Sequence, residues 1–336
     1  MKNLQYINYS ANYVEDAQSF YKAVVDRTVK PHQVEFQPGS SSSQICWMKC
    51  PHCYGINTQN TDRRLSTNRL LEIIEEVSSV PKIIFSGYAT DPLFYKDCHY
   101  LFKKVVEQSQ IIGIHSKFLK VSDRVLQALW GAQPESYVSV SLDAYNDVTY
   151  STVHNFPQRA YDKVLANIKK LADTGIHVNV NYLITHTNNH LSGMLSMYDD
   201  CMKAGATAVR YSVAQHPKFA TYSTAPVDEV QFKVLRALDH AVVYDEYRDE
   251  RQAVPCWARW LYPTISFDGH LARCSETSSP TWDSIRLGDL ADRSFWDLYY
   301  DYSSNDSDKI AQANCMCDRK LAITNERINE QLGYEL

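Results

Sequence analysis

The chain has 336 residues, of which 44% are hydrophobic and 22% are charged, as in a soluble globular protein with a large core. A formal net charge of −5 and the lack of a basic stripe argue against a nucleic-acid partner. The sequence contains neither an apolar run long enough to span a membrane nor a signal-peptide pattern at its N-terminus, so we expect a cytoplasmic protein.

Strand and helix patterns alternate along most of the chain. The predicted strands are His32–Gln37, Lys82–Gly87, Ile111–Ser116, Tyr137–Asp143, His177–Ile184 and Ala208–Ala214. The predicted helices are Ser66–Ser78, Lys96–Glu107, Ser122–Trp130, Gln158–Thr174, Leu191–Ala204 and Asp228–Glu246. Because parallel strands need crossover helices, this alternation predicts an α/β fold with a parallel sheet.

The pattern changes beyond residue 250, where short segments rich in Trp, Tyr and Cys replace the alternation. We therefore predict four regions: an N-terminal cap (residues 1–32), an α/β barrel (33–250), a small cysteine-rich domain (251–320) and a C-terminal helix (321–336).

Three cysteines follow the first predicted strand closely, in the stretch CWMKCPHCY that begins at Cys46 and includes Cys50 and Cys53. Cysteines in a reducing compartment are typical metal ligands or buried thiols. Three thiolates can ligate three irons of a [4Fe–4S] cluster and leave the fourth iron open. A zinc site made of the three thiolates and His52, or a loop of unligated thiols, remains the alternative.

This motif resembles the C-x3-C-x-aromatic-C motif of radical S-adenosylmethionine (SAM) enzymes, with His52 in the place of the aromatic residue. The resemblance covers about residues 33–217 and implies a partial (βα)6 barrel whose first strand precedes the cysteine loop. It also implies that SAM chelates the open iron. One electron then cleaves SAM, and the resulting 5′-deoxyadenosyl radical abstracts hydrogen from a substrate.

The resemblance assigns SAM binding to residues of the cysteine loop and of the strand ends: His52, Tyr54, Ser86, Gly87, Asp91, Ser116, Lys117, Ser141, Asp143 and Asn181. Tyr88 to Thr90 are inserted relative to the family pattern, so the backbone role of Ser86 and Gly87 carries over better than the carboxylate role of Asp91. An ordinary turn at Gly87 and a helix cap at Asp143 are the structural alternatives. No residue is assigned a catalytic role.

A second group of cysteines consists of Cys256, Cys274, Cys315 and Cys317. A hairpin around Asp268-Gly269 would bring the first two together. The spacing resembles the twitch domain, a shortened SPASM extension of radical SAM enzymes, although C-x-C replaces the usual C-x2-C. The resemblance implies one auxiliary [4Fe–4S] cluster, and a zinc ribbon is the alternative. Cys98 and Cys201 lie in helix patterns and are predicted to be buried thiols.

These features predict a radical SAM enzyme that acts on a small polar metabolite such as a sugar, a nucleoside or an amino-acid derivative. The one-electron donor would be a flavodoxin or a ferredoxin. Radical modification of a ribosomally made peptide or protein is one alternative, and a non-enzymatic metal-binding protein is another.

Overall fold

The computed structural model describes residues 14–39, 46, 48–53, 55, 63–88, 90–156, 159–213, 228–244, 256–278, 286–301 and 319–334. Strands and helices alternate along them, which confirms the predicted α/β class. The strands are β1 (Val34–Phe36), β2 (Lys82–Phe85), β3 (Ile111–Ser116), β4 (Tyr137–Ser141), β5 (His177–Ile184), β6 (Ala208–Val213), β7 (Ala241–Tyr244), β8 (Thr264–Ile265), β9 (His270–Ala272) and β10 (Gly288–Asp289).

The α-helices described are α1 (Ala17–Val25), α2 (Thr67–Glu76), α3 (Cys98–Glu107), α4 (Asp123–Leu129), α5 (Asp147–His154), α6 (Tyr161–Ala172), α7 (Leu191–Lys203), α8 (Glu229–Ala237), α9 (Ala258–Leu261), α10 (Phe295–Tyr299) and α11 (Arg319–Leu332). None of these helices has the length and apolar character needed to cross a bilayer.

The ten strands of the described residues join one sheet in the order β10-β9-β8-β1-β2-β3-β4-β5-β6-β7. Strands β1 to β7 pair in parallel with their neighbours in chain order. The carboxyl ends of these seven strands therefore meet at one edge of the sheet, where α/β proteins assemble their functional sites.

The two faces of the central strands differ in chemistry. Val138, Val140, Val178 and Val180 are fully buried members of the core that also contains the helices. The intervening residues on β4 and β5 are polar, because successive side chains of a strand point to opposite faces. They are Ser139, Ser141, Asn179 and Asn181. We call this polar side the inner face of the sheet.

Two expectations fail in the helical regions. The helix predicted for Asp228–Glu246 is wrong, because α8 ends at Ala237 and β7 then pairs with β6. Extended backbone at Leu238 and a left-handed φ of 58° at His240 break the helix, and the valine-rich segment after them suits a strand. An additional helix, α5, precedes the one predicted from Gln158, and its Thr and Val residues gave no helical signal.

The expected hairpin around Asp268-Gly269 is present as β8 and β9, which pair antiparallel. Gly269 has a φ of 90°, a conformation that favours glycine in the turn. Strand β8 also pairs in parallel with β1, so this part of the region predicted as a second domain continues the sheet. The division into four regions remains a prediction.

Candidate active site

The cysteine loop follows β1 and turns tightly at its end. The backbone N–H of Cys53 donates to the carbonyl oxygen of Cys50 at 3.1 Å. Cys50 is buried, whereas Cys46 and Cys53 are half-buried. The structure therefore presents three thiols at the carboxyl edge of the sheet.

Helix α5 holds this loop through its last residue, His154. The His154 carbonyl accepts the backbone N–H of Lys49 at 3.2 Å, and its Nδ1 lies 3.3 Å from the Cys50 Sγ. Its Nε2 lies 3.1 Å from the Leu142 carbonyl. Because a carbonyl only accepts, Nε2 carries the proton of the neutral ring and Nδ1 is an acceptor. Burial lowers the pKa of His154 to about 3, which keeps the ring neutral.

A buried ion pair completes this cluster. The Lys117 Nζ donates to Asp143 Oδ2 at 2.7 Å and lies 3.2 Å from His154 Nδ1. Burial would raise the pKa of Asp143, but Lys117, followed by His154, lowers it to about 2. Burial would likewise lower the pKa of Lys117, but Asp143 and Cys50 raise it. Both shifts describe an ammonium and a carboxylate that remain charged beside Cys50.

Asp143 is itself fixed by the backbone around it. Its φ of 53° is left-handed, and its Oδ1 accepts the backbone N–H of Leu183 at 2.8 Å. The Asn188 side chain donates to its carbonyl at 2.8 Å. Contacts from β5 and the following loop therefore determine where the carboxylate holds Lys117.

Burial also acts on the three thiols. It raises the pKa of Cys50 to about 12, and it raises the pKa values of Cys46 and Cys53, while Lys117 opposes the shift at all three. Metal-free thiols in this environment are protonated at neutral pH. Metal binding must therefore release protons from them.

The donor set distinguishes two kinds of metal site. Among the described residues, the one group of potential ligands within 4.8 Å of one another is Cys50, His52 and His154. The three thiols are more widely spread, as expected when each binds a different iron of one cluster. The Lys117 ammonium next to His154 Nδ1 would repel a lone dication, and it favours a centre with a net negative charge such as a thiolate-bound cluster.

The predicted SAM-binding residues of β2 and β3 mainly contact one another. The Asp91 carboxylate accepts from Ser116 Oγ at 2.8 Å and from the backbone N–H groups of Lys117 and Leu93 at 3.0 and 2.9 Å. Ser86 Oγ donates to the Glu35 carboxylate. These contacts hold the ends of three neighbouring strands together, and SAM binding by the three polar residues remains a prediction.

Gly87, another predicted SAM-binding residue, lies in the turn after β2. A Cβ on Gly87 would lie 1.8 Å from the Thr90 carbonyl oxygen, so only glycine fits the turn. Tyr54 lies outside the described residues.

Ser141 and Asn181 lie side by side on the inner face, and Arg210 on β6 occupies the next position. The Asn181 Nδ2 donates to Ser139 Oγ at 2.5 Å. The Oδ1 atoms of Asn179 and Asn181 are buried, with no hydrogen-bond partner in the described part of the chain. Buried amide oxygens normally have partners, so these two mark a place for polar ligand atoms or water.

The structure thus brings Lys117 and Asp143, from the segments after β3 and β4, and His52 of the cysteine loop close to Cys50 and His154, and SAM binding by these three residues remains a prediction. Sequence reasoning missed His154, which lies 104 positions from Cys50 in the helix that was not predicted. A histidine at the end of a Thr- and Val-rich segment carries no local signal for this role.

The C-terminal cysteines are described only in part. Cys256 is half-buried and Cys274 is buried, whereas Cys315 and Cys317 lie outside the described residues. Cys98 and Cys201 are buried thiols, as predicted.

Residues 40–196 match the family model for the Radical SAM superfamily. Similar folds occur in Streptococcus suis SuiB bound to SAM, with a TM-score of 0.66 and 13% identity over 84% of this chain and 69% of that chain. SuiB bound to precursor peptide SuiA has a TM-score of 0.65 and 13% identity over 87% of this chain and 73% of that chain. The structure of anSMEcpe with bound AdoMet and Cp18Cys peptide has a TM-score of 0.57 and 13% identity over 90% of this chain and 97% of that chain. No curated protein sequence matches the chain.

Residues 40–196 therefore form a radical SAM domain, as the cysteine motif predicted, and the predicted α/β fold class is confirmed. This domain class implies a [4Fe–4S] cluster and SAM as cofactors. The thiols at 46, 50 and 53 fit that cluster. The twitch-like extension and its auxiliary cluster remain predictions.

Proposed function

We propose that this protein cleaves SAM reductively and uses the resulting radical to abstract hydrogen from a small polar substrate. The observation that carries the proposal is the buried Lys117–Asp143 pair beside Cys50, at the carboxyl edge of a parallel sheet. A buried ion pair at that edge is costly for stability and is typical of a functional site.

Cys46, Cys50 and Cys53 would hold the cluster, which supplies the electron for SAM cleavage when it is bound. The Lys117 ammonium has three N–H groups, and the Asp143 carboxylate and His154 Nδ1 engage two of them. The remaining N–H is available for the SAM carboxylate. His154 keeps its proton on Nε2 and so leaves Nδ1 free to hold Lys117 in this orientation.

The polar inner face supports the choice of a polar substrate. Asn179 and Asn181 bring unpaired amide oxygens to the same side of β5, and Arg210 lies beside Asn181 in register. Amide oxygens accept hydrogen bonds from hydroxyl or N–H groups, which sugars, nucleosides and amino-acid derivatives all carry.

We further propose an auxiliary [4Fe–4S] cluster on Cys256, Cys274, Cys315 and Cys317, and a flavodoxin or ferredoxin as electron donor. Iron analysis after anaerobic reconstitution tests the first point. About eight irons per chain support two clusters, whereas about four irons with one zinc place a zinc ribbon at the C-terminal cysteines.

Deuterium transfer tests the substrate class. Candidate sugars, nucleosides and amino-acid derivatives, deuterated at carbon, are incubated with the reduced enzyme and SAM, and 5′-deoxyadenosine is analysed by mass spectrometry. Deuterium from a small polar compound supports the proposal. Transfer only from a deuterated peptide would replace it by the peptide-modifying alternative, and SAM that stays intact would favour a non-enzymatic protein.

A further inference from the structure

Asn179 lies near the start of β5, on the inner face of the sheet. Its neighbours Val178 and Val180 belong to the core on the opposite face, so the Asn179 carboxamide points to the inner face. The side chain is 1% exposed, and neither end of the carboxamide makes a hydrogen bond within the described residues. Such burial is costly, because the donor and the acceptor both lose their hydrogen bonds to water.

The two neighbouring strands explain why this amide finds no partner in the described part of the chain. Ser139 of β4 lies in register with Asn179, but its Oγ accepts the Nδ2 of Asn181 at 2.5 Å. Ala208 of β6 lies in register on the other side, and its side chain is a methyl group. The two side chains beside Asn179 therefore supply neither a donor nor an acceptor to it.

An aromatic ring covers the inner face at the amino ends of the strands. The Tyr137 ring lies over Gly113, where an added Cβ would be 2.7 Å from the Tyr137 Cζ. The Tyr137 hydroxyl lies 3.1 Å from His115 Nε2. Ser139, the partner of Asn179, follows Tyr137 by two residues, so Asn179 lies one level above this ring on the side that faces the carboxyl edge.

Strand β5 connects Asn179 to the active site. The backbone N–H of Leu183, four residues further along the strand, donates to Asp143 Oδ1 at 2.8 Å. At a rise of about 3.3 Å per residue, Asn179 lies about 13 Å from that contact along the strand. A small molecule that binds at Asn179 would therefore extend from there toward the Lys117–Asp143 pair.

We infer that Asn179 is a specificity-determining residue, which binds the end of the substrate remote from the reacting carbon through a group that both donates and accepts a hydrogen bond. This inference rests on the proposed function. The carboxamide has one acceptor oxygen and one NH2 donor, so a hydroxyl group, an amide or the edge of a nucleobase satisfies both ends. A carboxylate or phosphate group only accepts and an ammonium group only donates, so each leaves one end of the buried amide unpaired.

Asn179→Leu tests whether the amide is unpaired in the ligand-free protein. Leucine has a similar shape without polar atoms, so we expect this variant to unfold at a higher urea concentration than the wild type. Asn167→Leu is the matched control, because the buried Asn167 Nδ2 donates to the Phe118 carbonyl at 2.7 Å, and this variant should unfold at a lower concentration. A loss of stability in Asn179→Leu equal to that of the control would overturn the inference, since the amide would then have a partner in the chain.

Ligand-induced shifts in Tm test the chemistry of the bound group. The anaerobically reconstituted full chain is heated with SAM and with methyl glucoside, uridine or N-acetylalanine amide, which supply hydroxyl groups, a base edge and an amide. Acetate and inorganic phosphate are the acceptor-only probes. We expect at least one of the first three probes to raise the Tm of the wild type, and we expect Asn179→Leu to need at least a tenfold higher concentration for the same shift. Asn167→Leu should respond at the wild-type concentration.

The probe that acts identifies which kind of group the amide binds. Shifts from acetate or phosphate alone, or equal shifts in the wild type and Asn179→Leu, would overturn the inference. The absence of a shift with all five probes would also overturn it, because the amide would then bind water only. SAM that stays intact under a low-potential reductant would refute the proposed function by itself, since neither the urea series nor the Tm series depends on SAM cleavage.

Discussion

At the residue scale, the site depends on a buried ion pair between Lys117 and Asp143. The Lys117 and Asp143 side chains are 17% and 4% exposed and lie 2.7 Å apart. Removing one member of such a pair leaves the other charge buried without its partner, which is far costlier than removing both.

Replacement of Lys117 by Met is therefore expected to lower the free energy of unfolding by about 3–5 kcal/mol. The double variant Lys117→Met/Asp143→Asn should regain much of that loss, because no charge is then left unpaired. Urea denaturation of the anaerobically prepared proteins gives both values. A double variant no more stable than the single one would contradict the account of this ion pair.

His154→Phe tests the link between α5 and the cysteine loop. The variant loses the Nδ1 acceptor for Lys117, so we expect it to keep its iron but to form 5′-deoxyadenosine about 10- to 100-fold more slowly. Tyr150→Phe is the matched control, because the ring centroids of Tyr150 and His154 lie 4.4 Å apart. The Tyr150 hydroxyl has no hydrogen-bond partner among the described residues, so its removal should break no contact. Equal rates in the two variants would exclude the proposed role of His154.

The spacing of the cysteines and the strand-end positions of Lys117 and Asp143 were enough to single these residues out, and their roles as cluster ligands and SAM contacts stay predictions. The sequence did not allow His154 to be predicted, since that contact exists only after α5 packs against the cysteine loop. The same limit applies to the hydrogen bond between Asp91 and Ser116, which joins the loop after β2 to the end of β3.

At the element scale, the turn after β2 has room for glycine alone at position 87. The Gly87 turn leaves no space for a Cβ beside the Thr90 carbonyl. Gly87→Ala should cost about 3 kcal/mol or more, at the upper end for overpacked sites, because the atom that the Cβ would meet belongs to the backbone. Gly131→Ala is the comparison, because Gly131 has a φ of 81° with open space around the added Cβ. It should cost only about 1–2 kcal/mol of backbone strain.

Denaturation curves of the two glycine variants, recorded under identical conditions, give the difference between their free energies of unfolding. If Gly87→Ala proves no less stable than Gly131→Ala, the close approach to Thr90 is not present in solution.

Asp268, in the turn of the β8–β9 hairpin, is expected to make the stability of the protein depend on pH. Burial would raise the pKa of Asp268, but His270, whose Nδ1 lies 3.5 Å from the carboxylate, and hydrogen bonds from Arg286 and Ser266 lower it below its ordinary value. Its contribution to stability is therefore complete above the ordinary value of about 4 and is lost as the pH falls below it. Asp268→Asn should flatten the fall in unfolding free energy below about pH 4. An unchanged slope in that variant would assign the acid sensitivity to other groups.

Element predictions succeeded for the longer strands and failed for a short one. The bounds of β3 and β5 agree with the predicted Ile111–Ser116 and His177–Ile184, because these strands are six and eight residues long and rich in Ile and Val. Strand β7 has only four residues and follows an amphipathic helix directly, so its pattern merged with the helix. Its pairing with β6 decides its structure.

At the scale of the whole molecule, one sheet joins the radical SAM domain to the C-terminal hairpin. Strand β8 has two residues and pairs with β1, the strand that precedes the cysteine loop. A pairing of this kind depends on the folded barrel and leaves no signal in so short a strand. The alternation of strands and helices, in contrast, was enough to predict the α/β class.

The measurement that tests the central claim is SAM cleavage by anaerobically reconstituted protein under a low-potential reductant. We expect the wild type to release 5′-deoxyadenosine. The variant with Cys46, Cys50 and Cys53 all replaced by Ala should release none and should lose about four irons per chain. A triple variant that still cleaves SAM, or a wild type that holds a single zinc at these three thiols, would contradict the assignment of the open iron to this site.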